Sequence, residues 1–169
     1  MNISHYNEIE TKMLSDVLKH KWQIRKMLDE YKIVKVKNFF ERDVSDYIKE
    51  QLKEQEEWKS SISDSSLNYS FKFALEPKQK LINIYRIIKQ LYSECPAEIS
   101  SAKYSNKDGI EEHTDEHGYI TSDGKKWSRR YAVIFYFNKG WREKDGGLFH
   151  DIENDEKILP THNSMVIFN

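Results

Sequence analysis

Cysteine and long apolar stretches are nearly missing from this chain, and each absence excludes a class of protein. Cys95 is the single cysteine in 169 residues, so no internal disulfide can form. A reducing compartment, the cytoplasm, is the expected location. No segment approaches the roughly 20 apolar residues of a membrane span. The start, Met1-Asn2-Ile3-Ser4-His5, has neither a basic segment nor an apolar run, so neither secretion nor membrane insertion is expected.

Net charge is also nearly absent. The 27 basic and 28 acidic residues leave a formal charge of -1, so no global field attracts nucleic acid or an acidic membrane, and neither partner is expected. With only three prolines the chain has no Pro-rich linker, and it shows no internal repeat. A length of 169 residues therefore predicts one domain, 1–169, large enough to bury a core without disulfides.

The composition changes near the middle of the chain. All six glycines fall between Gly109 and Gly147, where they separate short apolar runs typical of strands. Residues 1–95 read as a helical support region and residues 96–169 as a β core. The predicted fold class is therefore mainly β with N-terminal helices, an α+β arrangement.

Hydrophobic periodicity predicts three helices in the first region. Apolar residues at helical spacing, including Trp22, indicate helices at 8–28, 43–58 and about 77–91. Alternating lysine and aliphatic residues predict a strand at 32–37, and a second strand follows at 69–73. The polar stretch 60–68 is expected to be a loop.

Five strands are predicted in the second region, which suggests a sandwich or barrel. Their expected ranges are 98–105, 110–115, 130–138, 146–152 and 163–168. The segment Tyr131–Phe137 is apolar on both faces, so this strand is expected to be central in a sheet and covered on both sides.

The tripeptide His113-Thr114-Asp115 carries the strongest chemical signal. On a strand, residues i and i+2 share a face and lie roughly 6–7 Å apart. One imidazole and one carboxylate in that arrangement supply two corners of the two-histidine-one-carboxylate face that binds iron(II). The alternative is a surface histidine beside a solvated aspartate in a charged turn.

The order of residues around this tripeptide resembles a known family. It is similar to the core of prolyl-4-hydroxylase-like iron(II)- and 2-oxoglutarate-dependent dioxygenases, over about Tyr104 to Asn169. The residues that carry the resemblance are Tyr104, Gly109, His113, Asp115, Arg129, Arg130, Asn138, Trp141, Gly146, Gly147 and Pro160.

The resemblance implies a fold and a chemistry. The fold is a double-stranded β-helix, a jelly-roll barrel braced by N-terminal helices. His113 and Asp115 would be the iron ligands and the catalytic centre, with Tyr104 and Arg130 as cofactor-binding candidates. The implied cofactors are Fe(2+), 2-oxoglutarate and O2, with ascorbate as an optional addition. The implied reaction couples oxidative decarboxylation of 2-oxoglutarate to hydroxylation of an unactivated C–H bond.

The sequence also departs from the family pattern. The second iron-binding histidine and the basic residue that anchors 2-oxoglutarate are expected beyond Asn169. His150 and His162 are the only histidines after His117, and neither matches a ligand position. A truncated barrel, a barrel completed by another chain and a degenerate relative all remain open. A barrel that ends on Met165–Phe168 should expose an unpaired strand edge, so a homodimer through that edge is an expectation.

Two classes of function follow from these observations. The first is a dioxygenase that hydroxylates a residue of a protein or peptide, or a small amino-acid-like molecule. The second is a non-catalytic jelly-roll module that binds a partner. Iron(II) binding strengthened by 2-oxoglutarate would distinguish the first class from the second.

Overall fold

The first helix begins at a well-formed cap and runs without a break. In the computed structural model, which describes residues 7–63, 69–93, 97–105, 108–113, 118–120 and 124–168, α1 spans Glu8–Glu30. The Asn7 side chain accepts a hydrogen bond from the Glu10 backbone, and the Glu10 carboxylate accepts one from Asn7. This capping box satisfies backbone donors that the first turn of a helix leaves unpaired.

The remaining elements follow in a helix-rich first half and a strand-rich second half. They are β1 (Ile33–Lys37), α2 (Arg42–Lys53), β2 (Trp58–Ser63), β3 (Tyr69–Ala74), α3 (Gln79–Ile88), a 3₁₀ turn (Lys89–Tyr92), β4 (Ala102–Lys103), β5 (Gly109–Ile110), β6 (Gly118–Ile120), β7 (Lys126–Ser128), β8 (Ala132–Tyr136), a second 3₁₀ turn (Glu143–Asp145), β9 (Phe149–Asp151), β10 (Glu156–Ile158) and β11 (Ser164–Phe168).

The main sheet joins the two regions of the chain. It is antiparallel in the order β1-β11-β8, with Val34 opposite Ile167 and Ile167 opposite Val133. The side chains of Val34, Ile167 and Val133 pack with those of the helices and form the core. The fully buried residues of that core include Met13, Val17, Ile24, Val44, Ile48, Leu81, Ile84, Ile87, Met165 and Ile167.

Two expectations about this sheet are wrong. The central strand is β11, not β8, because β11 has a hydrogen-bonded neighbour on each side. Its predicted unpaired edge does not exist. Among the described residues β8 pairs only with β11, and its side chains are half-buried. Apolar character reveals that a strand is covered, but it does not reveal which strands flank it.

The second sheet contains a strand that the sequence did not predict. β2 pairs with β3 along its whole length, from Trp58 opposite Ala74 to Ser63 opposite Tyr69. The expected helix over 43–58 therefore ends at Lys53, and part of the expected loop is a strand. Three serines gave β2 the composition of a loop, yet its half-exposed position tolerates polar side chains.

Two short hairpins complete the second half. β6 pairs with β7, and β9 pairs with β10; neither β6, β7 nor β10 was predicted. The β9–β10 hairpin contacts the main sheet through Phe149 and Phe168, whose ring centroids are 4.8 Å apart. An ion pair between Lys35 and Glu156 adds a second link.

A buried asparagine connects the first half of the chain to the last strand. Asn163 accepts a hydrogen bond from the Phe40 N–H (2.9 Å) and donates one to the Phe40 carbonyl (2.7 Å). Its own N–H donates to the Tyr136 carbonyl, and its carbonyl accepts from Phe39. Its φ of 58° is a conformation that asparagine adopts more readily than most residues. The four bonds position the start of β11.

The predicted fold class is confirmed at the coarse level. Helices and antiparallel sheets make up the described part of the chain, but its sheets do not close into a barrel, and the jelly roll stays a prediction. β1, from the first region, is hydrogen-bonded to β11 from the second. No helix in the described ranges combines the length and apolar character that crossing a bilayer requires.

Candidate functional site

His113 lies on the surface, three residues after β5. Its Nδ1 is 2.8 Å from the backbone oxygen of Glu111. Because a carbonyl oxygen only accepts hydrogen bonds, Nδ1 carries the proton in this contact. In the neutral ring the lone pair is then on Nε2, as in histidines that bind a metal through Nε2 while Nδ1 donates to a carbonyl.

The strand expected at 110–115 is much shorter in the structure. β5 ends at Ile110, so His113 does not lie on a strand, and the i, i+2 argument for a shared face with Asp115 does not apply. Asp115 falls outside the described residues, and so does His117. The geometry of the His113–Asp115 pair therefore stays a prediction.

The segment before His113 is held by β3. Ile110 pairs with Tyr69 and Gly109 with Ser70. Asp108 adds a clamp: it accepts hydrogen bonds from the Ser70 hydroxyl (2.5 Å) and from the Ser105 N–H (2.7 Å). These bonds hold the pKa of the Asp108 carboxyl below its usual range. Asp108 is thus ionised at neutral pH and links Ser105, which follows Tyr104, to Ser70 of β3.

Tyr104 belongs to a strip of aromatic rings on one face of the second sheet. Its ring stacks on Phe71 with centroids 5.7 Å apart, and Phe71 in turn lies 5.7 Å from Tyr69. Tyr104 is 45% exposed, so the strip faces a solvent-accessible surface. The sequence held a signal for this strip, because Tyr69 and Phe71 alternate with polar residues at the spacing of one strand face.

Burial raises the pKa values of two tyrosines near this strip. Burial first, and the charge of Asp108 second, raise the pKa of Tyr104. The pKa of Tyr136 rises to about 12, mainly through burial and secondarily through Tyr104. Both phenols therefore stay protonated at neutral pH and can act as hydrogen-bond donors.

Arg130 is turned toward the helices. Its guanidinium carbon is 5.3 Å from the centroid of the Tyr131 ring, and Tyr131 stacks on Tyr92. No contact within the described part of the chain joins Arg130 to Tyr104 or His113. The cofactor-binding role predicted for Arg130 stays a prediction.

The two later histidines have other partners. His150 Nε2 lies 3.0 Å from Asp155 Oδ1 in the β9–β10 hairpin. His162 Nε2 lies 3.4 Å from Asp46 Oδ1, outside hydrogen-bonding geometry, and Asp46 also pairs with Lys139. The sequence argument that neither residue occupies a ligand position stays a prediction.

Gly146 and Gly147 form a turn. Their φ values are 75° and 65°, in the region that favours glycine, and the Trp141 Nε1–H donates to the Gly146 carbonyl at 2.8 Å. This bond fixes Trp141 over the turn. The two glycines therefore occupy backbone positions where a side chain would be strained.

The donor groups fit iron(II) as far as the structure describes them. Imidazole nitrogen is a suitable ligand for iron, and the Glu111 contact orients the ring as a ligand requires. Among the described residues there is no group of three or more His, Cys, Asp and Glu side chains close enough to hold a metal. Of the two predicted iron ligands, His113 is the one that lies within the described residues.

Comparison with known proteins gives one match. Residues 99–169 match the family model described as the 2OG-Fe(II) oxygenase superfamily, and the matched range contains Tyr104, His113 and Asp115. Neither the curated proteins nor the solved structures gave a match to the chain. Over residues 99–169 the chain is therefore similar to the 2OG-Fe(II) oxygenase superfamily, whose members depend on Fe(2+), 2-oxoglutarate and O2.

Proposed function

We propose that this protein is an iron(II)- and 2-oxoglutarate-dependent dioxygenase that hydroxylates an unactivated C–H bond. The carrying observation is the orientation of His113 by the Glu111 carbonyl within the family-matched range. When bound, iron(II) and 2-oxoglutarate supply the oxidising chemistry, in which O2 gives one oxygen atom to succinate and one to the substrate. His113 Nε2 and the Asp115 carboxylate would hold the metal.

Tyr104 would bind 2-oxoglutarate through its hydroxyl. A phenol with a raised pKa stays protonated and donates a hydrogen bond to a carboxylate, which a phenolate cannot do. The Asp108 clamp links Ser105, the neighbour of this tyrosine, to Ser70 of β3, the strand that also pairs with β5.

The proposed substrate is a prolyl or similar aliphatic side chain of a protein or peptide, or a small amino-acid-like molecule. The order of Tyr104, His113, Trp141 and Gly146-Gly147 supports the prolyl-hydroxylase-like subtype. The aromatic strip of Tyr69, Phe71 and Tyr104 supports an apolar group over a charged one, because exposed rings bind aliphatic surface favourably.

The test is calorimetric titration of the oxygen-free protein with iron(II), with and without 2-oxoglutarate. We expect binding that 2-oxoglutarate strengthens and that His113→Ala abolishes. A ligand at about 100 times its Kd stabilises the fold by about 2.7 kcal/mol, so the melting temperature should rise in parallel. The metal-free melting temperature of His113→Ala should match that of the unchanged protein, because the ring is exposed.

A matched control is His150→Ala. This variant removes an exposed histidine that pairs with Asp155 in the β9–β10 hairpin, away from β5 in the sequence. It should leave iron binding unchanged. Iron binding that is absent, or equal in His113→Ala and His150→Ala, would contradict the proposal and favour a non-catalytic binding module.

A further inference from the structure

Aromatic rings and arginines form a continuous row where α1, the first 3₁₀ turn and the start of β8 meet. The Arg25 guanidinium carbon is 5.4 Å from the Trp22 ring centroid and 5.9 Å from that of Tyr92. Tyr92 stacks on Tyr131 at 5.6 Å, and Arg130 lies 5.3 Å from the Tyr131 centroid. We call Trp22, Arg25, Tyr92, Tyr131 and Arg130 the cation–aromatic row. It joins three segments that are distant in the sequence.

One end of the row is strongly exposed and positively charged. Trp22 is 72% exposed, although the helical pattern alone predicted it on the apolar face. Lys19 and Lys26 are also exposed and share its helix face, at spacings of three and four residues from Trp22. Between Val17 and Leu28 the sequence contains four lysines or arginines and no acidic residue, and the exposed Asp29 and Glu30 follow at the end of the helix. A local basic and aromatic surface thus lies on a chain with a net charge of -1.

We propose that this surface binds an acidic segment of a partner polypeptide. Carboxylates would pair with Lys19, Lys26 and Arg130, and an apolar side chain of the segment would cover Trp22. An arginine stacked on a ring loses little freedom when it binds a carboxylate, which favours the row as a prepared site. A nucleic acid fits less well, because its long backbone would extend beyond this patch onto a chain without net positive charge.

The test of this inference does not depend on the proposed iron chemistry, because its variants change only Lys19, Trp22 and Lys26 of α1. The test uses fluorescence anisotropy of the full chain with a fluorescein-labelled peptide of glutamate and leucine. A peptide of glutamine and leucine is the neutral probe. We expect the acidic peptide to bind, the neutral peptide to bind at least about tenfold more weakly, and added salt to weaken the acidic complex.

The double variant Lys19→Glu/Lys26→Glu should lower the affinity for the acidic peptide at least about tenfold, and Trp22→Ala should lower it by about tenfold. Two matched controls lie elsewhere: Ile62→Ala removes a side chain that is also 72% exposed, and Lys157→Glu reverses an exposed charge on β10. Both controls should bind like the unchanged chain. Melting curves of all variants confirm that each is folded.

Three results would overturn the proposal. The first is equal affinity for the acidic and the neutral peptide. The second is an equal loss in the control variants and the α1 variants. The third is tighter binding of a single-stranded DNA oligonucleotide, or of phosphatidylserine-containing vesicles, than of the acidic peptide. Iron(II) titration of the α1 variants should match that of the unchanged chain, so a failure here is separable from a failure of the proposed oxygenase function.

Discussion

Two protonated phenols set the chemistry that single residues can offer at the aromatic strip. Burial keeps the Tyr104 and Tyr136 pKa values above the ordinary value, to about 12 for Tyr136. Ionised Tyr104 would face the nearby charge of Asp108, which further opposes its ionisation. Tyr104 is therefore a hydrogen-bond donor throughout the physiological range.

Replacing Tyr104 with Phe should weaken the binding of 2-oxoglutarate to the iron-loaded protein by about tenfold, the value of one hydrogen bond to a charged group. The melting temperature should change little, because the ring still stacks on Phe71. Isothermal titration with 2-oxoglutarate measures the effect, and Tyr31→Phe, at an exposed position, is the control. Unchanged affinity would mean that Tyr104 only packs.

His20 should make the fold less stable at mildly acidic pH. Burial lowers the pKa of His20, whose ring lies 4.5 Å from the Phe39 ring, although a backbone hydrogen bond at Phe39 and the charge of Asp16 act the other way. The unfolded chain then binds more protons than the folded chain below about pH 6.5. Stability is full above that pH and is lost as pH falls toward the folded pKa.

Urea unfolding at pH 7 and pH 5 tests this expectation against His20→Gln. The decrease in the free energy of unfolding between the two pH values should be smaller in the variant. An identical decrease in both proteins would show that other groups cause it. The carboxylates with lowered pKa values, such as Asp43 and Asp46, contribute at lower pH and do not interfere.

At the scale of elements, Asn163 decides how β11 begins. Its side chain satisfies both backbone groups of Phe40, and all three groups are buried. Removing such a side chain leaves a buried donor and a buried acceptor without partners. The strand predicted over 163–168 was correct in position. The hydrogen bonds between Asn163 and Phe40 could not be inferred from the sequence.

Asn163→Ala should therefore lower the free energy of unfolding by about 2–4 kcal/mol. Asn163→Gly is the informative companion, because glycine accepts the φ of 58° without strain yet forms neither hydrogen bond. We expect the glycine variant to be destabilised as well, although less than the alanine variant. A glycine variant as stable as the unchanged protein would show that only backbone strain matters here. Chemical denaturation provides the measurement.

The sequence predicted individual helices and strands better than it predicted which strands pair with each other. The alternation in residues 32–37 and the apolar run after Tyr131 identified β1 and β8, because each signal lies within one segment. The serine-rich β2 was not predicted, because it is a strand through its pairing with β3 and not through its own composition. His113 was expected on a strand, but the ladder at β5 contains only two residues.

At the scale of the whole molecule, the main sheet has one well-protected central strand, β11, and two edge strands, β1 and β8, among the described residues. Every residue of β11 pairs with both β1 and β8, whereas β8 pairs only with β11 among the described residues. Edge strands offer unpaired backbone groups to a further strand. Self-association through an edge of this sheet would therefore use β8 or β1 and not the expected edge of β11.

Hydrogen exchange should show this difference. The β11 amides should exchange most slowly, and the β8 amides that point away from β11 should exchange faster in dilute protein. Protection of the same β8 amides that increases with protein concentration would indicate a dimer through this edge. Equal protection of both strands at the lowest concentration would contradict the edge position of β8. Mass spectrometry of exchanged peptides covers both strands.

The bond between Phe40 and Asn163 spans 123 residues, and β1 has β11 as its partner. A ribosome that adds roughly 5–20 residues per second therefore exposes β1 for several seconds before its partner strand exists. During that interval Val34 and Val36 have no strand to pair with, and the α1–α2 core lacks its sheet. The protein should consequently fold only after synthesis of residues 164–168, and its nascent chain should be a ready client for chaperones that hold unpaired strands.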